Sequence, residues 1–194
     1  MNLILDLLNG ASDECLMMTR FNCHVKGVHS IVLANDNGKL TRCFLTTPDH
    51  EMHLNIDSSL NLPLGIHSHR YDLKLTQVSG EAVNIIYKES KKLCNVSKYK
   101  YESEIAGGKG AIYEGISGVE VCGVDKLNGC FMKANELHTV FVPKNSKSSW
   151  LVQEGKQVSE STDLFQNGNS KCSSFTKPKN ADQVKQFLVE FYGK

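Results

Sequence analysis

Two histidines two residues apart, His67 and His69, stand in the run His67-Ser68-His69-Arg70-Tyr71-Asp72-Leu73, between a Pro63/Gly65 turn and a β-rich stretch ending at Gly80. On a strand, side chains at i and i+2 project from one face, so both imidazoles can reach the same metal ion. A third histidine, His138, follows the turn-like Asn135-Glu136 and precedes the β-run Thr139-Val140-Phe141-Val142. Three neutral imidazoles on one divalent ion (Fe, Zn, Mn or Ni) leave positions open to water, dioxygen or a chelating substrate, which is what metal catalysis requires. Arg70 and Tyr71 flank the pair as candidate substrate-binding residues, a guanidinium for a carboxylate and a phenol to donate a hydrogen bond. The plainer alternative is that Arg70 faces solvent and Tyr71 packs. No catalytic acid, base or nucleophile is assigned.

Other chemistry-bearing clusters read more simply. His50 and His53 are three apart, but Asp49-His50-Glu51-Met52-His53 is not the HExxH zinc motif, and on a strand the two would point oppositely. Ala106-Gly107-Gly108-Lys109-Gly110 lacks the spacing of a phosphate-binding P-loop and is read as a loop. Lysines 88, 91, 92, 98 and 100 interleave with Tyr87, Tyr99 and Tyr101, yet Glu89, Glu102 and Glu104 dilute their charge. That is a solvated strand face rather than a nucleic-acid surface.

The elements that must position these residues are mostly short strands. Val28 to Ala34 and Lys39 to Thr46 flank Asn35-Asp36-Asn37-Gly38, a hairpin signal because Asn and Gly tolerate positive φ. Pro48 to Leu62 is ambiguous. Leu64 to His69, Lys74 to Val78, Ala82 to Lys88, Lys98 to Tyr101, Gly118 to Val124, Phe131 to Ala134, Thr139 to Val142 and Ser148 to Gln153 read as strands, with a turn at Pro143-Lys144-Asn145-Ser146. Asp72 is expected in a turn, hydrogen-bonding backbone rather than metal. Residues 1 to 8 read as a short packed helix, and residues beyond Gly155 as a polar extension. In that extension Val184, Phe187, Leu188 and Phe191 fall at helical spacing behind an Asn180 cap. Many short strands with turns at regular spacing argue a closed or double-sheet barrel, which removes exposed strand edges.

This order of motifs resembles the cupin superfamily. Gly65, His67, His69 and Gly80 match its first motif and His138 anchors its second, a resemblance that covers residues 25 to 155. Leu73 or Lys74 occupies the position of the family's Glu ligand, depending on the spacing used, and neither is a ligand. Lys133, Asn135 and Val142 stand in the Pro, Gly and Asn positions of the second motif. The resemblance implies an all-β fold, a cupin-type antiparallel β-barrel (jelly roll) with short N- and C-terminal helices. It implies a divergent member whose metal set is His67, His69 and His138, compatible with a three-histidine iron centre of thiol-dioxygenase type.

The chain of 194 residues reads as one domain, with a barrel core at 25 to 155 and a C-terminal helix at about 180 to 192. A net charge of +1 supplies no field toward nucleic acid or membrane. Seven cysteines without a CxxC pair read as reduced thiols of a cytoplasmic protein. The expected partner is a small-molecule ligand or substrate, with no nucleic acid, no membrane and a homodimer among the options. The sequence points to a metal-dependent, dioxygenase-like enzyme, with a non-catalytic binding or structural barrel as the alternative. An enzyme needs the metal and a substrate-sized cavity; a binding module needs the cavity alone.

Overall fold

Asn37 and Gly38 adopt φ of 51° and 88°, the paired positive values of a two-residue hairpin turn. They join β1 (Val28–Asp36) to β2 (Lys39–Thr46), as the sequence signal predicts. The computed structural model describes residues 3–52, 65–92, 96–102, 109–166 and 175–193. The remaining strands are β3 (Ile66–His67), β4 (Tyr71–Ser79), β5 (Val83–Ser90), β6 (Val96–Glu102), β7 (Gly110–Lys126), β8 (Cys130–Met132), β9 (Leu137–Phe141), β10 (Ser148–Gln157) and β11 (Ser161–Gln166). Three helices, α1 (Leu3–Gly10), α2 (Asp13–Met17) and α3 (Ala181–Tyr192), flank them.

All strand pairs are antiparallel and fall into two sheets. The first has the order β1-β2-β10-β4-β8; the second runs β11-β3-β9-β5-β7-β6 and returns to β11. The circuit closes because the long β7 pairs β6 along its first half and β5 along its second, while β11 pairs both β6 and β3.

Alternation along β2 sends Cys43 and Leu45 into a core with Ile4, Leu8, Leu16, Ile31 and Leu33. Val184, Leu188 and Phe191 of α3 close that core, so the helices cover one face of the first sheet. Asn180 caps α3, its Oδ1 accepting from the Gln183 N–H at 2.9 Å. Phe44, Trp150, Val152, Leu73 and Leu75 lie in a second core with Val140 and Val142 of the other sheet or its margin. A third core, around Ile66, Ile85, Leu137 and Phe165, belongs to the second sheet. Burying each such Leu, Ile or Phe contributes about 1.5–3 kcal/mol, which holds the sheets in register.

Several expectations change. The strand expected over Leu64 to His69 shrinks to β3, and β4 begins at Tyr71, so Asp72 lies on a strand rather than in a turn. Its carboxylate does bind backbone: Oδ1 accepts from the Ala134 N–H at 3.0 Å. His138 lies inside β9 instead of just before a strand. β7 is 17 residues long, more than twice the expected element, because its pairing continues through bulges at Glu114 against β6 and Cys122 against β5. The stretch past Gly155 contains β11, a sheet member, so strand structure extends beyond the expected core. His53, most of the Pro48 to Leu62 segment and most of the glycine-rich 106–110 stretch lie outside the described residues. Among the described residues no helix is long and apolar enough to cross a membrane.

Candidate metal site

The three histidines named from the sequence converge. His67 and His138 are direct partners across the β3/β9 pair, so their side chains leave the same face of the sheet. His69 lies beyond the end of β3, and two backbone anchors hold it there. Its N–H donates to the Ala134 carbonyl at 2.7 Å. The preceding Ser68 exchanges hydrogen bonds with Asp163 of β11: the Ser68 N–H donates to the Asp163 carbonyl at 2.9 Å, and the Asp163 N–H donates to Ser68 Oγ at 2.8 Å. The strand that the sequence reading missed therefore orients this histidine.

Ring centroids are 4.7 Å apart for His67 and His69 and 4.9 Å for each of the other two pairs. One nitrogen from each ring lies within 4.8 Å of the others, so the three could hold a metal ion. His69 Nε2 and His138 Nε2 are 2.8 Å apart. Two neutral imidazole nitrogens approach so closely only with a proton between them or a cation bound by both. With metal–nitrogen bonds of about 2.0–2.1 Å, two ligands at right angles lie about 2.9 Å apart, so this edge suits a shared ion. Hydrogen bonds behind the rings also matter: His67 Nδ1–H donates to the Gly65 carbonyl at 2.8 Å, and His138 Nδ1 is 2.5 Å from Asn84 Oδ1. Since a carbonyl oxygen only accepts, the first contact places the His67 proton on Nδ1 and frees Nε2 for a metal.

Burial keeps the rings neutral. It pushes the His67 pKa down to about 4, assisted by the charge of His24 and opposed by the Gly65 carbonyl. Burial holds His69 and His138 well below the usual imidazole range; next come neighbouring histidines and, for His69, Arg42. Neutral imidazole is the form that binds metal.

Sequence reasoning missed His24. It has a left-handed φ of 72° and stacks between Phe44 at 6.1 Å and His67 at 5.7 Å. Phe44 in turn stacks on Trp150 at 5.7 Å, so a file of rings crosses from the site to the first sheet. The residue is exposed, yet enough protein surrounds it that desolvation, then Arg20 and Arg42, push its pKa down to about 4. Nothing in the spacing of His24 relative to His67 signals this; the left-handed loop at 22–27 creates it.

Arg70 and Tyr71 are placed otherwise. The Arg70 guanidinium lies 5.4 Å from the centre of the Tyr71 ring, and Tyr71 packs against the inter-sheet core. The Arg70 carbonyl accepts from the N–H groups of Val158 and Ser159. His50 is a buried structural residue: its Nε2–H donates to the Pro143 carbonyl at 3.1 Å, and its Nδ1 accepts from the Met52 N–H at 3.1 Å. Asp72 is engaged with Ala134 and lies 4.0 Å from Lys133. Leu73 is buried in the core while Lys74 is exposed, so neither contributes to the site. No protein-family model and no curated protein matches this sequence, so the arrangement of the three histidines stands on its own geometry.

Proposed function

We propose that this chain is a cupin-type metal-binding protein. It holds one divalent ion of Fe, Zn, Mn or Ni on His67, His69 and His138, and with that ion it acts on a small molecule in a dioxygenase-like reaction. The observation that carries this reading is the convergence of three neutral imidazoles from two strands and a tethered loop, with one nitrogen of each within 4.8 Å of the others. Leu73 in the core and Lys74 on the surface support a ligand set that stops at three, leaving positions on the ion for a second molecule. The ion would supply Lewis acidity or redox chemistry at those positions. The protein's part is to hold three nitrogens in place and keep the rings unprotonated.

A second reading, a non-catalytic ligand-binding or structural barrel, draws support from Arg70 and Tyr71. They engage each other and the neighbouring backbone rather than the histidines. The first reading requires the metal and the second does not, so the first experiment tests the metal. Protein reconstituted anaerobically should carry about one equivalent of a first-row divalent ion, and His67→Ala or His138→Ala should lose most of it. A chelator should lower the melting temperature of the parent and leave the His67→Ala melting temperature unmoved. Parent protein that takes up no ion and melts identically with and without chelator would sink the metal site and the enzyme reading built on it, and leave the second reading standing.

A further inference from the structure

Asn84 lies on β5, fully buried, facing Val140 of β9 on one side and Asp125 of β7 on the other. Its Oδ1 lies 2.5 Å from His138 Nδ1, while its Nδ2 meets no oxygen or nitrogen acceptor among the described residues. The amide also stands beside the Cys130 thiol, where it opposes the upward shift that burial imposes on that group. Burying an amide whose nitrogen has at most a thiol sulfur, a weak acceptor, to donate to is unfavourable, and a leucine here would avoid that penalty. Asn84 also presents a choice that few side chains offer, because its oxygen can only accept and its nitrogen can only donate. Oxygen toward His138 puts the ring proton on Nδ1 and leaves Nε2 with a lone pair. Nitrogen toward His138 puts the proton on Nε2, facing His69, where it would block an ion.

We infer that Asn84 is a positioning residue. It fixes His138 as the Nδ1–H tautomer, so that Nε2 is the atom offered to the shared site. The consequence for metal affinity rests on the proposed metal function, but the tautomer is a property of the metal-free protein and is measured there. Across the 2.8 Å gap of the metal-free protein, His138 Nε2 then accepts and His69 Nε2 carries the bridging proton, which shifts to His69 Nδ1 when an ion takes its place.

The test uses full-length protein labelled with 15N at histidine, with His138 signals assigned by their loss in His138→Gln. Long-range proton–nitrogen spectra of metal-free protein should show His138 as Nδ1–H in the parent. Asn84→Asp, which keeps an acceptor in the same place, should preserve that pattern, and Asn84→Leu should abolish it. In competition titrations with Zn(II), Asn84→Leu should bind about 10–100-fold more weakly than the parent, the usual loss for a missing outer partner of a ligating histidine. Asn84→Asp should recover the loss, which a merely structural role would not predict. An Nε2–H pattern in the parent overturns the inference, and so does Asn84→Leu that retains Nδ1–H; the parent spectrum decides even if a variant fails to fold. A parent that shows Nδ1–H but takes up no Zn(II) overturns the metal function and leaves the tautomer assignment standing.

Discussion

Three of the described histidines, His29, His50 and His67, separate by how Nδ1 meets the backbone. His29 and His50 accept at Nδ1, from the N–H of Asn22 at 3.3 Å and of Met52 at 3.1 Å, so their protons sit on Nε2. His67 does the reverse, donating from Nδ1 to Gly65, and so leaves Nε2 for a ligand. The contrast is testable at His50. Replacing it with Ala removes the Nδ1 acceptor of the Met52 N–H, a buried bond worth about 1–3 kcal/mol, while the Pro143 carbonyl keeps its bonds from Ser146. His50→Ala should therefore keep the parent's metal content yet melt roughly 5–10 °C lower, as calorimetry would read it. Metal loss on this substitution, at unchanged stability, would move His50 into the site.

At the level of elements, one glycine shows how a turn reaches the C-terminal helix. Gly80 follows β4 with φ of 68°, and a Cβ there would lie 2.0 Å from the Lys147 carbonyl and 2.8 Å from Ser148 Cα. Lys147 in turn donates from Nζ to the Phe191 carbonyl near the end of α3, and its ammonium lies 4.3 Å from the centre of the Phe191 ring. Gly80→Ala should therefore destabilise by on the order of 2–4 kcal/mol in urea denaturation, because left-handed strain and a backbone clash act together. An alanine variant as stable as the parent would mean the β4–β5 turn can rearrange freely. The turns and the C-terminal helix were legible in the sequence because their signals are local: Asn37-Gly38, Asn145 with φ of 59°, and the Asn180 cap. The His67/His69 pair was legible as a spacing, but β3 ends at His67 and backbone anchors, not strand period, bring His69 to it. β11 was not legible, since Ser161–Gln166 sits in a polar context and becomes a strand only through pairing with β6 and β3. Its Asp163 then tethers Ser68, so this part of the site depends on tertiary pairing that no local pattern encodes. His24 was missed for the same reason, since a left-handed loop rather than a periodic element brings it to His67.

For the whole molecule, buried neutral histidines make stability depend on pH in a direction that follows from their shifts. His29 is 7 % exposed, its ring packs against Phe21 and Phe187, and burial pushes its pKa down to about 4, with Asp49 pulling weakly upward. An unfolded histidine titrates near pH 6.5, so between about pH 6.5 and 4 the unfolded chain binds the extra proton while the folded chain does not. Stability is therefore fully present above pH 6.5, falls as the pH drops through this window, and levels off below it. For His29 alone the loss by pH 4.5 is about 2–3 kcal/mol, and His67, also shifted down to about 4, adds to it in metal-free protein. Denaturant midpoints of metal-free protein should thus decline steeply from pH 7 to 4.5. His29→Leu, which removes the Nδ1 bond to the Asn22 N–H, should be less stable than the parent at pH 7.5 yet show a distinctly shallower decline. Parallel curves for the parent and His29→Leu would mean that His29 takes up its proton in the folded state as readily as in the unfolded one. The acid sensitivity would then have to arise from other groups.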